Sequence, residues 1–158
     1  MEMRIGFGFD SHKIKKGGKL ILGGVNIKCD FGLSGFSDAD VVIHALSDAI
    51  LGAMSKKDIG EYFPDTDEVN RDRDSSDFIK YVKQIMDAES YQINNIDITI
   101  ILEKPKLIPY KQEIKNNLAW ILETEEKNVS VKAKSTEGAF PVDTAVCFSL
   151  VTLVKSKF

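Results

Sequence analysis

Residues 74–102, DSSDFIKYVKQIMDAESYQINNIDITIIL, change their hydrophobic period part-way along. Asp74 stands where a helix N-cap belongs, and Phe78, Ile79, Val82, Ile85 and Met86 then recur at helical spacing. Further on, Ile96, Ile98, Ile100 and Leu102 alternate, with Asp97 and Thr99 between them, which is the period of a half-buried strand. A one-sided helix feeding an alternating strand needs a sheet to lie against.

The flanking segments repeat this logic. Residues 2–10 alternate and end in glycines, as a strand running into a loop does, and Leu20 to Ile27 reads as a hairpin turning on Gly23-Gly24. Ser37 with Asp40 resembles a capping box ahead of a helix from Val41 to Met54. On that helix Asp40, His44 and Asp48 share one face, opposite Val42, Leu46, Ala49 and Ala53. Pro109 suits the first turn of a third helix carrying Tyr110, Ile114, Leu118, Ile121 and Leu122, and strands at 129–133 and 145–154 close the chain. The expected fold is α+β: a single domain over 1–158, a two-layer α/β sandwich with a mixed sheet and helices on one face.

Composition narrows the function. Apolar residues make up 43% and charged residues 28% of the 158, the balance of an ordinary globular protein. A formal charge of -3 argues against non-specific nucleic-acid or anionic-membrane binding. Two cysteines, Cys29 and Cys147, are too few for a disulfide framework, and neither a signal stretch nor a membrane-length apolar run is seen, so a cytoplasmic protein is expected.

Histidine is equally scarce, with two in the chain. His12 follows Asp10 by two, so on an extended segment both side chains point the same way; His44 sits on the capped helix. Carboxylate and imidazole are zinc ligands, and three protein ligands would leave a position open for substrate or water. Unrelated polar residues would look no different from such a pair taken alone. The 58–67 loop is dense in acid, 102–109 leaves a strand through two prolines, and 132–138 ends a strand in basic, hydroxyl and acidic groups suited to phosphate and a hard cation. Each also serves as an ordinary turn.

In order, these segments read Arg-Ile-Gly-x-Gly-Phe-Asp-x-His at 4–12, Ser-Asp-x-Asp-Val-x-x-His-Ala-Leu-x-Asp-Ala at 37–49 and Asp-Ile-Gly-x-x-Phe-Pro-Asp-Thr-Asp at 58–67, followed by Lys-Pro-Lys-x-x-Pro and Val-x-Val-Lys-Ala. The chain thereby resembles the 2-C-methyl-D-erythritol 2,4-cyclodiphosphate synthase family, trimeric enzymes of non-mevalonate isoprenoid synthesis. The resemblance implies zinc on Asp10, His12 and His44, and a second divalent ion, Mg²⁺ or Mn²⁺, on Glu137. It implies catalytic roles at Ser135 and at the position of Phe36, where the family usually has histidine. Substrate contacts carry over to Ser37, to Asp58, Ile59 and Gly60 (ribose), and to Phe63, Pro64, Asp65, Thr66 and Asp67 (methylerythritol phosphate). They carry over also to Leu102, Glu103, Lys104, Pro105, Lys106, Leu107 and Ile108 (cytosine), and to Lys134, Ser135 and Thr136 (diphosphate).

The implied reaction cyclises a cytidine diphosphate substrate and expels CMP. It takes place at sites between subunits of a homotrimer whose sheets face the three-fold axis, in the cytoplasm or, after loss of a transit peptide, a plastid-like compartment. Two further departures are Lys134, where threonine is usual, and a shortened loop at 138–144, so an axial isoprenoid-diphosphate cavity is not implied here. Phe36 also motivates an alternative, a non-catalytic or altered trimeric relative that binds metal and cytidine nucleotide. A metal phosphohydrolase releasing linear product is a third reading.

Overall fold

The computed structural model describes residues 2–155. A mixed sheet of five strands runs in the order β4-β1-β7-β5-β6, with β1 at Met3–Lys16, β4 at Phe31–Leu33, β5 at Tyr91–Ile101, β6 at Val129–Lys134 and β7 at Thr144–Lys155. All pairings are antiparallel except β5 with β6. A separate hairpin pairs β2 (Leu20–Leu22) with β3 (Val25–Ile27) and turns on Gly23 and Gly24, whose φ values of 60° and 76° favour glycine. The helices are α1 (Val41–Ala53), the short α2 (Ile59–Tyr62), α3 (Ser75–Ala88) and α4 (Lys111–Ile121).

The two-layer reading holds. Ile96, Ile98, Ile100, Cys147, Val151 and Leu153 face inward and are buried, against Val42, Leu46, Ile79, Val82, Ile114 and Leu118 from the helices. Each such side chain contributes roughly 1.5–3 kcal/mol when fully buried. The other sheet face stays open: Met3, Ile5, Phe7 and Phe9 of β1 and Leu150 of β7 are all exposed, with Phe148 contacting both Phe7 and Phe9.

Two readings change. The first strand does not stop at its glycines; β1 continues through Asp10 and His12 to Lys16, because β7 pairs with it as far as Lys13. The cap of α1 is Asp40 rather than Ser37, and Asp40 does not share a working face with His44. It is fully buried, and its carboxylate accepts the N–H groups of Val42 and Ile43 and, at 2.9 and 2.7 Å, those of Gly23 and Gly24. Burial pushes its carboxyl up to about 6.

The contact that positions everything else is α1 on β1. Gly6 and Gly8 lie beneath Ala45, Ala49 and Ala53, and a Cβ on Gly8 would stand 1.8 Å from the Ala45 carbonyl oxygen. Small residues on both elements bring the helix backbone onto the strand, and they set His44 beside Asp10 and His12.

Candidate metal centre

Asp10 and His12 occupy successive inward positions of β1, following the buried Gly6 and Gly8. His44 comes down from α1. Nε2 of His12 and Nδ1 of His44 lie 2.8 and 3.1 Å from Oδ2 of Asp10, and 3.4 Å from each other. Among the described residues this is the one group of three or more acidic, His or Cys side chains whose donor atoms converge as a metal would require, all within 4.8 Å. His12 Nδ1–H donates to the Ser34 carbonyl at 2.8 Å, which leaves Nε2 as the nitrogen that faces Asp10.

The electrostatics fit a cation. Burial works against ionisation of Asp10, yet the imidazoles of His12 and His44 beside it outweigh that and hold the carboxyl below its ordinary value. For His12 burial opposes the charge, and Asp10 overrides it and raises the imidazole.

The triad opens into a cleft of about 410 Å³ lined also by Phe36, Ser37, Ile59, Gly60, Phe63, Asp65, Asn70 and Phe78. Asp58 caps α2 through the N–H of Glu61. Asp48, half-buried with its carboxyl raised by burial, accepts the Ile59 N–H at 2.8 Å and ties this turn to α1. Pro64, Thr66 and Asp67 complete the adjoining loop outside the lining: the Pro64 carbonyl accepts from Asn70 Nδ2, and the Asp67 carboxylate from the Val69 N–H. The Phe36 ring carries the Arg71 guanidinium 4.7 Å above it.

The remaining expected residues lie elsewhere in the chain. Neither 102–108 nor 134–137 lines the cleft. Ser11 pairs with Val146, Val146 with Ile101, and Ile101 with Lys134. The two groups therefore sit at the same end of the sheet, 102–108 two strand steps from β1 and 134–137 three, roughly 10 and 14 Å at ordinary strand spacing. In the second group Ser135 hydroxyl donates to Glu137. Glu103 accepts from the N–H and hydroxyl of buried Thr136, locking the 102–108 loop to the 134–138 turn. Lys104, Lys106, Ile108 and Lys134 are exposed, while Leu102 and Leu107 are buried.

Sequence reasoning had given no site role to Asp38, Ser75, Asp48, Asn70, Arg71 or Phe78. Asp38 and Asp48 lay inside a quoted motif; Ser75, one residue past the Asp74 cap, carried no chemical signal.

An α+β sandwich in which a carboxylate and two imidazoles converge at a cleft of about 410 Å³ has the arrangement of a metal-assisted enzyme. The family is defined more narrowly by comparison. The YgbB family pattern matches residues 3–154, and the chain belongs to that family. It is 44% identical to the 2-C-methyl-D-erythritol 2,4-cyclodiphosphate synthase of Aquifex aeolicus (strain VF5) over 98% of this chain and 99% of that one. The fold superposes with TM-score 0.94 on the bifunctional IspDF of Campylobacter jejuni at 35% identity, covering 99% of this chain and 43% of that longer protein. It superposes with TM-score 0.85 on a CDP complex of IspF from Plasmodium falciparum at 32% identity, covering 98% and 97%.

Proposed function

We propose that this chain converts 4-diphosphocytidyl-2-C-methyl-D-erythritol 2-phosphate to 2-C-methyl-D-erythritol 2,4-cyclodiphosphate and CMP, a phosphorus–oxygen lyase step in isoprenoid precursor synthesis. The observation that carries the proposal is the convergence of Asp10, His12 and His44 on one open cleft in a chain 44% identical to a named synthase. Asp10, His12 and His44 would hold zinc, and Glu137 a Mg²⁺ or Mn²⁺ ion. Bound there, the ions supply charge neutralisation and Lewis-acid polarisation of the diphosphate.

The protein's own task is alignment. An oxygen of the 2-phosphate attacks the β-phosphorus, the bond from that phosphorus to the bridging oxygen breaks, and CMP leaves with that oxygen. Ser37 and Ser135 offer hydroxyls beside the phosphates, with Lys134 and Thr136 nearby. Asp58, Ile59 and Gly60 hold the ribose, and Phe63 to Asp67 bound the methylerythritol phosphate. Leu102 to Ile108 read cytosine. Cleft walls of Phe36, Phe63 and Phe78 limit water, which favours ring closure over hydrolysis.

The site is shared between copies in a homotrimer. Two observations support this: the assigned residues that follow β5 and β6 lie two and three strands from β1 and the triad, and Ile5, Phe7 and Phe9 form an exposed apolar face. Each chain acts as one domain over 1–158. Among the described residues no helix is long and apolar enough to cross a membrane, and we place the enzyme in the cytoplasm or a plastid-like compartment.

The test is incubation with the cytidyl substrate, Zn²⁺ and Mg²⁺ while CMP and phosphorus products are followed. CMP with cyclic diphosphate is expected. Phe36 favours a second reading, a metal- and nucleotide-binding relative without turnover; tight CMP binding with no CMP release would establish it instead.

A further inference from the structure

Beyond the triad, a second layer of hydrogen bonds determines which nitrogen of His44 is available. We infer that Ser75 and Asp38 are positioning residues that fix the His44 tautomer, an inference resting on the metal-centre reading above. Ser75 is fully buried at the first turn of α3. Its hydroxyl makes a short contact with Asp38 Oδ1, and its N–H donates to Asp38 Oδ2 at 2.9 Å. Both Asp38 oxygens already accept backbone N–H groups, Oδ1 from Asp40 and Oδ2 from Ser75, so the single Ser75 hydroxyl hydrogen points at Asp38. Towards everything else Ser75 Oγ is then an acceptor.

His44 Nε2 lies 2.9 Å from that oxygen. It must donate, so Nε2 carries the hydrogen and Nδ1 presents its lone pair towards Asp10 and His12. Ser37 Oγ, farther from Nε2 at 3.3 Å, is the competing partner; if its hydroxyl donated to Nε2, the hydrogen would move to Nδ1 and block the centre. Asp38 is itself held, since Oδ1 accepts the Asp40 N–H at 3.1 Å and its own N–H donates to the Arg73 carbonyl. The relay thus runs from the loop before α1, through the first residue of α3, to a ligand on α1. Partners of this kind orient metal-binding histidines, and their loss typically weakens binding about 10–100-fold.

Two measurements on the full chain test this. In metal-stripped protein at mildly alkaline pH, ¹⁵N spectra of labelled histidine should show pyrrole-type Nε2 and pyridine-type Nδ1 for His44; the reverse assignment overturns the relay without any variant having to fold. Zn²⁺ titration should show Ser75→Ala binding about 10–100-fold more weakly than wild type, with Ser75→Thr restoring most of the affinity. A merely structural Ser75 would lower the melting temperature of Ser75→Ala while leaving the tautomer and zinc affinity unchanged, and that result also refutes the inference. Wild-type protein with the expected tautomer but no zinc binding would instead overturn the metal-centre reading.

Discussion

Gly8→Ala tests whether close helix–strand contact creates the metal centre. The new Cβ would lie 1.8 Å from the Ala45 carbonyl oxygen and 2.8 Å from the Ala49 nitrogen, against a practical minimum of 3.0 Å. Both neighbours are helix backbone and cannot rotate away, so α1 must lift by more than about 1 Å. Overpacking of this kind costs about 1–3 kcal/mol. His44 precedes Ala45 and moves with it, whereas Asp10 and His12 stay on β1. Metal–ligand distances tolerate only about 0.2 Å, so zinc affinity should collapse, and a misplacement of about 1 Å should lower turnover roughly 10²-fold. Gly52 on the same helix is the control: a Cβ there meets nothing nearer than the Phe7 carbonyl oxygen at 4.0 Å. Gly52→Ala should leave zinc binding intact and stabilise the chain by about 0.5–1 kcal/mol. Calorimetric zinc titration and thermal melts read both variants. Wild-type zinc affinity and turnover in Gly8→Ala would refute the claim that this contact places His44.

Phe7→Glu, on the exposed sheet face, should give a monomer in sedimentation that binds one zinc yet loses turnover; an active monomer would refute the shared site. Phe36→His should raise turnover, and a clear fall would mean that the cleft depends on the Phe36–Arg71 stacking. In metal-free protein, Asp10 is held below 3.8 and His12 above 6.5, burial opposing their mutual attraction in both cases. The Asp10 contribution is present above pH 3.8 and lost as pH falls through its lowered native value. That of His12 is present below pH 6.5 and lost as pH rises through its raised one. Chelated wild type should therefore lose stability above pH 6.5, and Asp10→Asn should flatten that decline; identical melting profiles for the two proteins would contradict it.

Much of this was legible because local chemistry and global fold agree. The alternation through Ile96, Ile98 and Ile100 and the period of Phe78, Ile79, Val82 and Met86 reappear as β5 and α3, since one face of each is buried. Asp10 and His12 were readable as a pair because side chains two apart on a strand share a face. Asp40 was misjudged because helical spacing ignores the cap: its carboxylate turns back onto its own first turn and the hairpin. Ser75 escaped notice because a serine after a cap says nothing until α3 is docked against the loop before α1.

Metal binding and catalysis then have different structural requirements. The triad is complete within one chain, assembled by two glycines and a helix of small residues, so zinc affinity should follow folding of the monomer. The 102–108 loop follows a strand two steps away and Ser135 and Glu137 one three steps away, on the same sheet end, and a sheet cannot bend within one chain to close a gap of roughly 10–14 Å. In the proposed trimer a neighbouring copy, docked on the apolar face of Ile5, Phe7 and Phe9, would close it without any bending. Turnover should therefore follow assembly, and dilution that dissociates the protein should abolish CMP release while zinc remains bound.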